Sequence, residues 1–305
     1  MRHAHERAAG VLACLALLAC GTASEPPPKG LPEAGIPTSC GACASYTDPE
    51  AVGRVETETI TELSGLAASR TRDGVFYTHN DSGDGARFFA IDRTGALLAT
   101  YTLEGVDAND IEDVGVGPCP EGSCLYLADI GDNDKKRANI AIYRTPEPSG
   151  PGGPVRAVTT KLTYPDGPHN AEALLVSPEG DLVIVEKSPT GTGGVYLLDK
   201  DRAKSATEAV LTRIATLTLP AEAGGLVTGG AFHPCEKRVT LRTYTAMFEY
   251  RFTGGLETMF ASPPTLIPAG REPQGEAVTY SANGRELLTA SEGKRPSVHA
   301  SACAP

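Results

Sequence analysis

The stretch Glu172-Ala173-Leu174-Leu175-Val176-Ser177-Pro178-Glu179-Gly180-Asp181-Leu182-Val183-Ile184-Val185 holds two short apolar runs on either side of a turn. Pro, Gly and Asp supply the turn backbone, and the Val/Ile-rich flanks favour extended chain. Each run is too short to be a helix with a buried face, so the stretch reads as a hairpin. Two more strand-like runs follow, Val195 to Leu198 and Val210 to Leu219. The unit is therefore a meander of four strands.

The same unit recurs along the chain at a period of roughly 45–60 residues, the signature of a repeat architecture. Its first strands are Ser64 to Ala68, Ile111 to Val114, Glu172 to Leu175, Gly229 to Phe232 and Glu276 to Thr279. Its second strands are Val75 to Thr78, Leu125 to Ala128, Leu182 to Val185, Val239 to Leu241 and Leu287 to Ala290. The fifth unit ends before a fourth strand, and a spare strand-like segment, Arg54 to Thr61, precedes the first unit. An N-terminal strand that completes the last blade is how a β-propeller closes, leaving only short protected edges. The expected fold is all-β, a propeller of five blades over residues 51–305. A count of six stays open if a degenerate blade hides in a long unit, and a β-sandwich is the competing architecture.

The chain opens with basic residues Arg2 and Arg7, then an apolar run from Ala8 to Ala19. That run has the length of a signal peptide's apolar core and is too short to span a bilayer permanently. It ends in Leu17-Leu18-Ala19-Cys20-Gly21, which resembles the bacterial lipobox. The resemblance implies cleavage after residue 19 and acylation of Cys20, with several acyl chains giving a stable anchor. Residues 20–50, rich in Pro and Gly, then read as a tether. The expected location is extracytoplasmic, on a bacterial membrane, and on the outer one where the cell has two. The membrane is met only through the Cys20 lipid.

The chain carries 27 basic and 38 acidic side chains, a formal charge of −11. That balance repels nucleic acid and anionic lipid surfaces, which excludes both as ligands. Six cysteines remain after Cys14 and Cys20, an even number in an oxidising compartment, so disulfides are expected. Cys119 and Cys124 bracket a tight turn and should pair. Cys40, Cys43, Cys235 and Cys303 allow three pairings. Cys40 and Cys43 could also form a redox pair or part of a zinc site, although no helix start follows to acidify a thiol.

Aligned on their first strands, the units place Gly65, Glu112, Glu172, Gly229 or Gly230, and Glu276 at one level. In a propeller that strand lines the central channel, where a Glu in an apolar strand needs a partner or a ligand. Just after the second strands come Asp81, Asp129, Lys187, Arg242 to Tyr244, and Glu292. Like charges brought together raise their pKa values or hold a cation. Hard oxygen ligands at uneven angles suit calcium. The expected metal ligands are Glu112, Glu172, Glu276, Asp81 and Asp129. The turns at Asp81 to Asp84 and Asp132 to Asp134 read equally well as solvated turns. His79, Lys187 and Arg242 are the candidate catalytic residues, Arg242 because it can grip an oxyanion in bidentate fashion. His169 borders the same level.

The strings His79-Asn80-Asp81-Ser82-Gly83, Asp110-Ile111-Glu112-Asp113, Asp129-Ile130-Gly131-Asp132-Asn133 and Gln274-Gly275-Glu276-Ala277 resemble a family of uncharacterised secreted bacterial propellers over about residues 60–295. In layout alone the chain is similar to phytase-like propellers and to calcium-dependent apyrases. The resemblance to those two groups implies a central cation and a phosphoester or phosphoanhydride hydrolase. Fold does not decide function, so three expectations stand together. They are a calcium-stabilised propeller that binds a small molecule or protein at its mouth, a calcium-dependent hydrolase of the phytase or apyrase kind, and glycoside hydrolysis by two channel carboxylates.

Overall fold

Each unit read from the sequence forms one antiparallel sheet in the computed structural model, which describes residues 40–41, 43–220 and 225–304. The first blade comprises β2 (Leu63–Ala68), β3 (Val75–Asn80), β4 (Arg87–Asp92) and β5 (Leu97–Glu104). The second comprises β6 (Ile111–Cys119), β7 (Gly122–Asp129), β8 (Ile140–Pro146) and β10 (Val158–Thr163). The third comprises β11 (Ala171–Val176), β12 (Leu182–Glu186), β13 (Thr192–Leu198) and β15 (Thr212–Thr218). The fourth comprises β16 (Val227–Phe232), β17 (Arg238–Thr243), β18 (Met247–Arg251) and β19 (Thr265–Ile267). The fifth comprises β20 (Gly275–Tyr280), β21 (Glu286–Ser291), β22 (Ser297–Ala302) and, at its outer edge, β1 (Glu50–Arg54). The protein is a five-bladed β-propeller. The expected signal peptide, Cys20 and most of the expected tether lie outside the described residues, and among those described no helix is long and apolar enough to cross a membrane.

Period-two alternation fills the seams between blades. On β3, Tyr77 packs toward the second blade and Phe76 toward the fifth. Five apolar clusters result, one in each seam between neighbouring blades. Each buried aromatic or branched side chain contributes about 1.5–3 kcal/mol through the surface it removes from water. The ring is thus held by its seams, and the inner strands β2, β6, β11, β16 and β20 converge on the axis.

Three features depart from the sequence reading. The closing strand is Glu50–Arg54, ahead of the expected Arg54 to Thr61. Val55 and Ile60 are wholly buried in the seam between the fifth and first blades, so their apolar character serves packing rather than strand pairing. The run Val210 to Leu219 is divided: β14 (Glu208–Val210) adds in parallel to β10 of the second blade, and β15 completes the third. In the same way β9 (Gly153–Arg156) leaves the second blade and pairs in parallel with β5 of the first. Each detour laces one blade to the outer edge of its predecessor.

Cys119 and Cys124 are bonded across the β6–β7 turn, as the spacing suggests. Cys40 bonds Cys235 and Cys43 bonds Cys303, so the Cys-Gly-Ala-Cys motif is neither a redox pair nor a zinc site. It staples residues 40–49, the end of the stretch read as a tether, to the fourth and fifth blades. Tyr46 bridges to Cys303 by backbone pairing, and the Cys43 carbonyl accepts a 2.6 Å hydrogen bond from Arg238. All three disulfides sit at the end of the propeller where first strands turn into second strands.

Every inner strand carries a β-bulge near its opposite end, at Gly65, Glu112, Glu172, Thr228 and Glu276. A bulge sets two residues against one and re-aims a side chain. The fourth-blade residue at this level is therefore Thr228, not Gly229 or Gly230. Gly229 serves close packing instead, since a Cβ there would lie 2.2 Å from the Glu276 carbonyl oxygen. Gly65 is as closely packed. Its φ is +27°, and a Cβ would meet His79 Nε2 at 2.6 Å and the Val114 amide nitrogen at 2.7 Å. Gly65→Ala should cost about 1–3 kcal/mol from strain and overpacking, read as a lower urea midpoint at unchanged slope. An unchanged midpoint would show that the neighbouring strand simply yields.

Candidate functional site

The bulges bring Glu112, Glu172 and Glu276 to one mouth of the channel, each buried at 4–5% exposure. The loops that meet there add Asp81 after β3, Asp110 before β6 and Glu292 after β21. Oxygens of Asp81, Asp110 and Glu112 lie within 4.8 Å of one another, and so do those of Asp81, Glu276 and Glu292. Two unit charges at such a separation repel by about 3–4 kcal/mol at an effective dielectric constant near 20.

The protonation equilibria follow from that crowding. Burial raises the Glu112 pKa well above the ordinary carboxylate range, and Glu172, Asp81 and Asp110 push it further. Glu276 is raised by burial, then by Glu292 and Glu172. Asp110 is pushed up to about 6 by burial and Asp81. Glu172 is raised by burial against the pull of Lys187, whose Nζ is bonded to the Glu172 carboxylate and 3.0 Å from the Tyr244 hydroxyl. Lys187 and Glu172 thus neutralise each other and leave five carboxylates facing the mouth without a cation of their own.

The donor set is chemically suited to a hard divalent ion. Two observations bear on the fit. Asp81 Oδ1 is buried with no hydrogen-bond partner, and Glu112 has no donor set against its carboxylate among the described residues. Gly131 borders this cradle, where a Cβ would lie 2.2 Å from both Asp110 Oδ2 and Glu112 Oε1. The bare backbone at 131 keeps that space clear.

Several expected residues stand elsewhere. Asp129 is consumed in structure: it accepts from the amides of Asn109 and Asp110 at 2.9 and 3.1 Å, from the Tyr143 hydroxyl at 2.6 Å, and pairs with Arg137 at 2.7 Å. It holds the loop that presents Asp110, and Asp110 takes the place expected of it. Arg242 is 1% exposed and pairs with Glu272, while its Nη1 donates to the Ala277 carbonyl at 3.2 Å. It presents nothing to an oxyanion. His79 is fully buried, its Nδ1 bonded to the Asn80 carbonyl at 2.8 Å, and burial lowers its pKa. A neutral, enclosed imidazole packed behind Gly65 is a wedge between strands, not a proton carrier for the mouth. His169 is held by Asp166, Glu186 and the Tyr196 hydroxyl, which accounts for it structurally.

Below the mouth, the buried Asp113 accepts from the amides of Val114 and Leu174, both at 2.8 Å, and ties the second blade's inner strand to the third's. Asp110 and Glu292 are the cluster members that strand alignment did not single out as ligands. The signal for Asp110 was its place in the Asp110-Ile111-Glu112-Asp113 string, and for Glu292 its position just after a second strand.

No protein-family model matches the sequence, and no curated protein sequence matches it. Among solved structures the chain is similar to the PQQ-bound form of an aldose sugar dehydrogenase from Streptomyces coelicolor, with a TM-score of 0.50 and 13% identity over 85% of this chain and 99% of that one. It is also similar to a gluconolactonase from Xanthomonas campestris, with a TM-score of 0.46 and 12% identity over 87% of this chain and 98% of that one. At such identities the first likeness bears on the fold alone, and it agrees with a β-propeller.

Proposed function

We propose that this protein is a calcium-binding propeller, carried outside the cytoplasm on a lipid at Cys20, that takes up a ligand or partner at its acidic mouth. The observation that carries the reading is the convergence of the buried Glu112, which has no donor against its carboxylate, and the half-buried Asp81, whose Oδ1 is enclosed without a partner, with Asp110 beside Gly131. Asp81, Asp110, Glu112, Glu276 and Glu292 would hold the ion, with Glu172 held back by Lys187. When bound, a calcium ion supplies positive charge and open coordination positions for an anionic group. The three disulfides fit an oxidising compartment.

A second reading is a calcium-dependent phosphoester or phosphoanhydride hydrolase. Lys187 favours it, as a cation at the rim with Tyr244 beside it. Its weakness is the enclosure of Arg242 and His79, which leaves Lys187 alone of the three candidate catalytic residues near the carboxylates.

The test uses the mature chain stripped with chelator. Calcium at a hundredfold excess over Kd should stabilise it by about 2.7 kcal/mol, a rise in Tm of about 5–10 °C for a domain this size. An unchanged Tm with no retained metal would refute the calcium reading. Phosphate release from nucleotides or phytate that needs calcium and falls in Lys187→Met would favour the hydrolase. Calcium binding without turnover would favour the binding protein.

A further inference from the structure

The acidic mouth is two sites rather than one. Its oxygens fall into two triads, Asp81–Asp110–Glu112 and Asp81–Glu276–Glu292, and Asp81 belongs to both. Calcium sits 2.3–2.6 Å from its oxygen ligands, so two oxygens on one ion are at most about 5 Å apart. Each triad meets that limit, with its oxygens within 4.8 Å.

Each triad also has its own buried carboxylate. Glu112 in the first is 4% exposed with no donor against it among the described residues, and Glu276 in the second is 5% exposed and meets the Glu292 carboxyl of its own triad. Asp81, the residue common to both triads, has a buried Oδ1 that lacks a partner. Charge argues the same way. The Lys187–Glu172 pair is neutral, so five carboxylates remain; with all five ionised, one divalent ion leaves a net charge of −3 and two leave −1.

We propose that the mouth binds two divalent cations bridged by Asp81, one held by Asp110 and Glu112 and the other by Glu276 and Glu292. This rests on the cation reading above and adds the number and the division of ligands. Only the first site is bordered by Gly131, so the two can be emptied separately and without touching charge: Gly131→Ala drives a methyl against Asp110 and Glu112, which must shift, and removes no carboxylate.

The experiment is equilibrium dialysis of the full mature chain against calcium alone, with bound metal counted by mass spectrometry and folding checked by circular dichroism. The wild type should bind two ions per chain. Gly131→Ala and the near-isosteric Glu112→Gln should each bind one, as should Glu276→Gln, and Asp81→Asn should lose tight binding at both sites. One ion in the wild type would overturn the bridged pair while leaving the cation reading intact. None would overturn both. Two ions retained in Glu112→Gln or Glu276→Gln, or both lost in Gly131→Ala, would overturn the division of ligands.

Discussion

Replacing Glu272 by Gln should cost about 3–5 kcal/mol, the penalty of leaving a buried charge without its partner. The stranded charge is Arg242, 1% exposed and pressed so closely by the chain that a Cβ on Gly275 would lie 1.7 Å from its Nη2. Glu272 is also the acceptor for His299 Nδ1 at 2.7 Å and for the Thr289 hydroxyl at 2.8 Å, so three side chains lose their anchor together. The measurement is a urea titration. The double variant Glu272→Leu with Arg242→Met should recover much of the loss, because the cost lies in the unpaired charge and not in the absence of the pair. A single variant within 1 kcal/mol of wild type, or a double variant worse than the single, would show that the pair is not an isolated buried ion pair. The pH dependence has a fixed sign. Burial opposes ionisation of Glu272, yet His299 and Arg242 prevail and its pKa is lowered below the ordinary value of 4.5. Its contribution is therefore present above that value and is lost as pH falls through the lowered folded one. In Glu272→Gln that part of the acid sensitivity should vanish.

The second large effect is expected from Cys43→Ser with Cys303→Ser. This bond spans 260 residues and fixes the segment leading into β1 beside β22. Loss of so long a cross-link costs about 2–5 kcal/mol. With Cys40→Ser and Cys235→Ser added, no covalent bond fixes the segment ahead of β1, and amides of residues 50–54 should exchange ahead of the inner strands. Hydrogen exchange read by mass spectrometry distinguishes this local release from uniform destabilisation. Unchanged protection at 50–54 in the fourfold variant would mean that strand pairing alone closes the ring.

Blade number and order were legible because a strand repeat with turn residues at fixed offsets leaves few other architectures open. The Glu trio was legible for a related reason: a carboxylate in an apolar inner strand is an anomaly that burial makes costly. Residue-level assignments were harder. A bulge slips the register by one residue, which is why Thr228 rather than a neighbouring glycine faces Glu276's level. Asp129 and Arg242 have the right residue types in the right places, but Arg137, Tyr143 and Glu272 already occupy them, and such pairings across loops and blades leave no periodic trace. Asp110 lies in a connection between blades, outside both levels used for alignment. Val55 and Ile60 imitate a strand because a seam residue and a strand residue need the same side chains.

The two ends of the propeller have divided their tasks. The bonds of Cys40 and Cys43 to Cys235 and Cys303 lie at one end, and the buried and half-buried carboxylates at the other. Under the proposed anchoring through Cys20, a pull on the chain ahead of residue 40 would arrive on the side away from the mouth. A load on the leash would then be borne by two covalent bonds into the fourth and fifth blades and would not pass through the bulges that aim Glu112 and Glu276.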